Sequence, residues 1–162
     1  MKKIEFNAVI TSPIGKLGIT TSSRGVRFIQ YLPEAIKLKK PNNDLAVKVC
    51  KQLKAYFKNP LFEFDIPCDM TGTDYQKRIW TSLKTIPVGH PMTYSDMAQK
   101  QNSGARAIGG ACRKNPIPII FPCHRVIAKS GIGGYDGDWG KGKVNIKQWL
   151  LKHECAIRPK CN

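Results

Sequence analysis

The residues best suited to chemistry in this sequence lie together at 122–126, where Cys123 is followed by His124 and Arg125. A thiolate is a far better nucleophile than a thiol, so a reactive cysteine needs a neighbouring base or a positive environment. The histidine is a candidate base, but a cysteine of this kind is also commonly a small buried core residue, and both interpretations remain open. In an extended segment the two side chains would point to opposite faces, so their contact requires a bridging water or a bend at Pro122.

A pair of short helices is predicted upstream of this motif. Thr93 followed by Asp96 is typical of a capping box, which begins a helix that ends near Gln101. A turn at 102–104 leads into a second helix over 105–114, and the pair has the outline of a helix-turn-helix. Two adjacent glycines cost this second helix about 1 kcal/mol each relative to alanine. They indicate close approach by a nucleic-acid groove or tight packing between helices. The small and basic residues of the second helix are Ala105, Arg106, Ala107, Gly109, Gly110, Ala111 and Arg113.

The first seventy residues predict a small antiparallel sheet followed by a helix. The β-prone runs, separated by turn-forming residues, are 4–10, 16–21 and 26–32. Asp44 is the predicted N-cap of a helix that ends at Asn59, after which an extended segment leads to the second half. We therefore predict an α+β fold whose N-terminal scaffold domain spans 1–70.

The second half, 71–162, is predicted to be a mostly helical domain. Its first helix opens at 71–73 and stops at Pro87, ahead of the helix-turn-helix. A glycine-rich loop at 131–142 precedes a last amphipathic helix over 143–154.

The chain of 162 residues has 27 Lys and Arg against 11 Asp and Glu, a formal net charge of +16. The net charge is +5 over 1–74 and +11 over 75–162. This predicts a polyanionic partner for the second half, nucleic acid before an acidic membrane, with a general solubility bias as the alternative. The sequence has no apolar run of about 18 residues and no signal peptide, which predicts a cytoplasmic protein that does not enter a membrane.

Six cysteines are scattered along the chain without C-x-x-C spacing, so we expect free thiols and no metal ion. His153, Cys155 and Cys161 could contribute to a metal site, but no fourth ligand lies near them in the sequence.

The segment Pro122-Cys123-His124-Arg125-Val126 resembles the active-site signature of the O6-alkylguanine-DNA alkyltransferases, also called methylated-DNA–protein-cysteine methyltransferases. The resemblance covers nearly all of the second half, whereas the first half matches only in outline. The other matching segments are 73–76, 86–89, 93–94, 105–110, 113–116, 134–135 and 149–154. The resemblance implies an RNase H-like N-terminal domain, a C-terminal DNA-binding and alkyl-acceptor domain, a monomer and no cofactor.

The resemblance also implies a DNA-repair methyltransferase that works once. Cys123 would displace an alkyl group from O6 of guanine in duplex DNA and keep it as a thioether, with O4 of thymine as a possible further target. His124 would draw off the thiol proton through a water, and Glu154 would orient the imidazole. Tyr94 would donate a proton toward guanine N3, and Asn115 would brace the turn that carries the cysteine.

In this family the target base leaves the stack, and the second helix of the helix-turn-helix lies in the minor groove. Arg106 would fill the space that the base vacates. The residues assigned to DNA contact are Thr93, Ala105, Arg106, Ala107, Gly109, Gly110 and Arg113. The residues assigned to the guanine pocket are Cys112, Val126, Tyr135, Asp136 and Lys147, with a surface lysine as the alternative for the last. The loop after Tyr135 is longer than in the family, and Asp136 stands where a small hydroxyl residue is common, so its backbone N–H is the expected contact.

Two other classes of function are compatible with parts of the sequence. A non-catalytic module that binds alkylated DNA would not need the reactive Cys123. A hydrolase or transferase that uses a Cys-His pair on a small metabolite would not need the basic second half or the helix-turn-helix. Binding to DNA that weakens steeply with salt would separate the metabolite enzyme from the DNA-binding classes.

Overall fold

The structure, a computed structural model, describes residues 5–129 and 142–155, with side chains from 146 onward in the second range. The chain divides into two compact units, Met1–Thr71 and Gly72–Asn162. Within the described ranges, none of the helices combines the length and the apolar character that a membrane crossing requires.

The first unit contains a three-stranded antiparallel sheet in the order β1-β2-β3. The strands are β1, Ala8–Ile10, β2, Lys16–Ser22, and β3, Gly25–Leu32. Ile19 pairs with Ala8 on one side and with Ile29 on the other, and all three side chains are buried. The first strand begins at Ala8, later than the predicted start at residue 4. The side chain of Asn7 accepts a hydrogen bond from Thr21 N at 2.9 Å, which replaces the regular ladder there.

Helix α1, Asp44–Lys58, packs its apolar face against this sheet. The N-cap is Asn43, whose Oδ1 accepts a hydrogen bond from Ala46 N at 2.8 Å, so the predicted cap at Asp44 is wrong by one residue. Asn and Asp are equally good caps, and the sequence alone does not rank two adjacent ones. Asp44 instead lies in the first turn, where its carboxylate interacts favourably with the helix dipole.

The second unit is mostly helical, as predicted. Its helices are α2, Asp74–Leu83, α3, Tyr94–Lys100, α4, Ala105–Arg113, and α5, Gly142–Cys155. Thr73 and Gln76 form a reciprocal capping box at the start of α2. This helix ends before the predicted stop at Pro87. After Leu83 the backbone hydrogen bonds join residues three apart, as in a 3-10 helix, instead of four apart.

Helices α3 and α4 form the predicted helix-turn-helix. Thr93 caps α3 by accepting a hydrogen bond from Asp96 N at 3.0 Å. Asn102 adopts the left-handed conformation in the connecting turn, at φ 52°. The turn is held against α2 by Tyr75, whose hydroxyl lies 2.7 Å from the Ser103 hydroxyl.

A short parallel pair that the sequence did not predict connects the helix-turn-helix to the cysteine motif. Strand β4, Met92–Thr93, pairs with β5, Val126–Ile127. A single turn of 3-10 helix, Cys123–Arg125, immediately precedes β5. This pairing brings the beginning of α3 next to the motif, and the predicted α+β fold class is confirmed.

Candidate functional site

The loop that leads to the cysteine is held by the buried side chain of Asn115. Its Nδ2 donates to Phe121 O at 2.7 Å, and its Oδ1 accepts from Ile117 N at 3.0 Å. Between these two anchors Ile119 has φ 74°, a left-handed conformation that is rare for a β-branched residue. The amide of Asn115 therefore stabilises a turn that the backbone would not adopt readily by itself.

The 3-10 turn supplies the bend that a Cys-His contact requires. Cys123 N donates to Phe121 O at 2.8 Å, and Arg125 N donates to Pro122 O at 3.0 Å. Cys123 is 4% exposed and His124 is fully buried. Because the segment is not extended here, the constraint that consecutive side chains point to opposite faces does not apply.

His124 and Glu154 form a buried pair between the 3-10 turn and α5. His124 Nε2 lies 2.7 Å from Glu154 Oε2, whereas His124 Nδ1 has no hydrogen-bond partner among the described residues. A carboxylate only accepts hydrogen bonds, so the neutral imidazole donates from Nε2 and keeps a free lone pair on Nδ1. This tautomer leaves Nδ1 as a base.

Glu154 also forms a bidentate ion pair with Arg125. Arg125 Nε lies 2.9 Å from Oε1, and Nη2 lies 3.0 Å from Oε2. The third arm, Nη1, donates to Ile86 O at 2.8 Å. Burial raises the pKa of Glu154, but electrostatic attraction to His124 and Arg125 and the hydrogen bonds from both side chains outweigh it and hold this pKa well below its usual range. The sequence predicts Arg125 only as part of a positive environment for Cys123, and no local pattern indicates its contact with residue 154.

Lys147 is fully buried, so the alternative of a surface lysine is wrong. Its Nζ donates to Val126 O at 2.8 Å and lies 5.6 Å from the centre of the Tyr94 ring. Burial lowers the pKa of Lys147 to about 8, although the nearby Cys123 and Cys112 sulfurs act in the opposite direction. The helix position of a lysine does not reveal burial, because its long side chain can extend to solvent from many positions.

Tyr94 and Cys112 complete the surroundings of Cys123. Burial and, to a smaller extent, the Cys112 and Cys123 sulfurs together raise the pKa of Tyr94 to about 12. Burial also raises the pKa of the Cys112 thiol. At neutral pH, therefore, the tyrosine hydroxyl keeps its proton and Cys112 stays a thiol.

Helix α4 presents its small residues and its arginines on an exposed face. The exposed residues are Ala105, Arg106, Ala107, Gly110 and Arg113, and the buried ones are Ile108, Ala111 and Cys112. A Cβ on Gly110 would meet no described atom within 4 Å, and one on Gly109 would meet only Tyr94 Cε1 at 4.0 Å. Among the described residues, tight helix packing therefore does not account for the glycine pair.

Some predicted features lie outside the described residues, and one differs from the structure. Tyr135 and Asp136 lie outside the described residues, as does the predicted glycine-rich loop up to residue 141. Cys155 is disulfide-bonded, so the prediction of free thiols is wrong at this position, because pairing depends on proximity in space. In the described ranges His, Cys, Asp and Glu form no cluster of three that could hold a metal ion.

Two family models together match almost the whole chain. Residues 6–70 match the model described as "6-O-methylguanine DNA methyltransferase, ribonuclease-like domain". Residues 74–156 match "6-O-methylguanine DNA methyltransferase, DNA binding domain". The ribonuclease-like match confirms the expected fold of the first domain.

Curated and solved proteins of the same kind are similar over most of their length. The chain is 34% identical to a methylated-DNA–protein-cysteine methyltransferase of Methanosarcina acetivorans, over 92% of this chain and 97% of the relative. The corresponding protein of Mycobacterium tuberculosis is 37% identical, over 93% and 92%. The crystal structure of Mycobacterium tuberculosis OGT in complex with DNA superposes with a TM-score of 0.78 at 37% identity, covering 91% of both chains. The site geometry, the two family models and these relatives agree, and the chain belongs to the 6-O-methylguanine DNA methyltransferase family.

Proposed function

We propose that this protein repairs alkylated duplex DNA by transferring the alkyl group from O6 of guanine to Cys123, once per molecule. The first domain, 1–70, would serve as a scaffold, and 71–162 would bind DNA as a monomer and accept the alkyl group. The observation that carries the proposal is the buried arrangement of the 3-10 turn, in which His124 Nε2 is bound to Glu154 and Nδ1 is left as an acceptor.

The proton path begins at the thiol of Cys123. His124 Nδ1 takes the proton through a water, and the resulting imidazolium is stabilised by the Glu154 carboxylate 2.7 Å from Nε2. The protonated amine of Lys147 favours the thiolate, because a nearby positive charge stabilises a negative one. The thiolate sulfur then forms a bond to the alkyl carbon as the bond from that carbon to O6 breaks.

The leaving base keeps the electron pair of the broken bond and gains negative charge. Because the pKa of Tyr94 is raised to about 12, mainly by burial, its hydroxyl holds a proton at neutral pH and can donate it toward guanine N3. Val126, Cys112 and Lys147 would line the pocket around the base, together with Tyr135 and Asp136. Asn115 contributes indirectly, by holding the turn that leads to Cys123.

Duplex DNA would bind along the exposed face of α4. Removing a base from the stack costs a few kcal/mol, and the exposed Arg106 would offset part of that cost by filling the gap. The small side chains of α4, including Gly109 and Gly110, would let the helix enter the narrow minor groove, with Arg113 and Thr93 as further contacts. Minor-groove edges discriminate poorly among sequences, which suits a repair protein that acts anywhere.

The direct test measures label transfer from a duplex that carries radiolabelled O6-methylguanine. We expect one label per protein molecule, no label with Cys123→Ser, and full labelling with Cys50→Ser, which removes another buried free thiol. Transfer by Cys123→Ser would contradict the proposal. Binding by the parent protein without any transfer would instead indicate a non-catalytic module, and a second duplex with O4-methylthymine tests the wider substrate range.

A further inference from the structure

A shallow groove of about 250 Å³ lies in the first unit, whereas the residues assigned to the reaction belong to the second unit. The described residues that line it come from the edge of the sheet at 9–11 and from the neighbouring segment 38–41, which carries Lys39 and Lys40. This segment is fixed, because Val9 N donates to Lys39 O at 3.0 Å and Lys39 N donates to Val9 O at 3.1 Å. Lys54 of α1 also lines the groove.

Every charged residue among the described residues that line this groove is positive. The described residues that line it include three lysines and no aspartate or glutamate. Among the described residues, Lys39, Lys40 and Lys54 have no carboxylate within ion-pair distance. Lys51 and Lys58 lie three and four residues from Lys54 on α1, positions that share one face of a helix, and extend the positive surface.

The composition of the groove indicates which part of a polyanion it fits. Among the described residues that line it there is no aromatic side chain, so they offer no surface on which a base could stack. Lysine is a compact point charge that binds phosphate without reading sequence. The DNA-binding family model covers 74–156 and leaves this groove outside it.

We propose that the groove formed by Lys39, Lys40 and Lys54 is a second DNA-binding surface, which holds the phosphate backbone of duplex DNA independently of sequence. This inference rests on the proposed function, because it takes duplex DNA as the substrate. The groove contributes affinity and salt dependence to DNA binding and has no part in the transfer step.

The test compares two triple variants of the full chain that lose the same charge. The groove variant is Lys39→Gln, Lys40→Gln and Lys54→Gln. The control is Arg24→Gln, Arg27→Gln and Lys48→Gln, whose cations already contact Asp69, the Phe28 ring and Asp65. The dissociation constant of an unmodified duplex is measured over a series of salt concentrations, together with the rate of reaction with free O6-benzylguanine.

We expect the groove variant to reduce the slope of log affinity against log salt by about 2–3, because each lost phosphate contact removes about 0.9. The control should keep the parent slope, and all three proteins should react equally with the free base. Equal slopes in the groove and control variants would overturn this inference alone. A parent protein that binds no duplex and accepts no alkyl group would overturn the proposed function as well.

Discussion

At the scale of single residues, the site depends on one carboxylate that serves two partners. Glu154 accepts from His124 and from two nitrogens of Arg125, and the third arm of Arg125 reaches Ile86 O. Arg125 therefore acts as a positioning residue, which fixes the carboxylate that in turn fixes the imidazole. Its planar fork matches a carboxylate in a way that a lysine ammonium does not.

Replacing Arg125 with Ala should slow transfer from free O6-benzylguanine by about 10–100-fold, because Glu154 loses two of its three hydrogen bonds and holds the imidazole less firmly, and a small misplacement of a catalytic group costs rates of this order. Arg125→Lys should recover only part of the rate, since it keeps the charge and loses the fork. Single-turnover rates, measured well below the melting temperature of each variant, check this. Arg27→Ala is the control, and a parent-like rate in Arg125→Ala would contradict the role.

Lys147 provides a pH-dependent test. Burial lowers its pKa to about 8, from an ordinary value of 10.5, so between these values the unfolded chain binds more protons than the folded one. Stability from this group therefore rises with pH across that window. In Lys147→Met the rise should be smaller by up to about 3 kcal/mol. Urea unfolding at several pH values measures it, with the exposed Lys152→Met as control, and parallel curves for the parent and Lys147→Met would refute the assignment.

At the scale of elements, helix α4 allows the effect of a residue on folding stability to be measured separately from its effect on DNA binding. A Cβ on Gly110 meets no described atom within 4 Å, so Gly110→Ala should stabilise the fold by about 0.5–1 kcal/mol through the lower helix propensity of glycine. The added methyl should weaken duplex binding while the reaction with free O6-benzylguanine stays unchanged. Thermal unfolding measures the first effect and duplex titration the second. Unaltered duplex affinity would show that the minor groove of DNA does not approach Gly110 closely.

The helices and strands also show which parts of the fold can be predicted from the amino-acid sequence. Periodic apolar residues and capping side chains predicted α1 to α4 well, because these signals are local in sequence. The β4–β5 pair and the bond between His124 and Glu154 join positions about thirty residues apart, and no local pattern encodes them. The role of Glu154 came only from the family resemblance, and the contact made by Arg125 came only from the structure.

At the scale of the whole molecule, the accepted alkyl group should act on stability. Cys123 is 4% exposed, and extra methyl groups in a close-packed site typically cost about 1–3 kcal/mol. Full alkylation should therefore lower the melting temperature by several degrees, at about 2–4 °C per kcal/mol for a chain of this size. Calorimetry before and after one-equivalent labelling measures the change, with Cys123→Ser treated identically as control. An identical melting temperature for the two forms of the parent would contradict the expectation.

The position of Glu154 near the end of α5 has a consequence for how the protein is made. The thiol and its imidazole are synthesised thirty residues before the carboxylate that orients them. A nascent chain still attached to the ribosome thus carries the nucleophile without its complete relay. In the proposed mechanism the relay is complete only when translation has passed Glu154 and α5 has docked, so the thiol of a shorter nascent chain lacks the carboxylate that orients its imidazole.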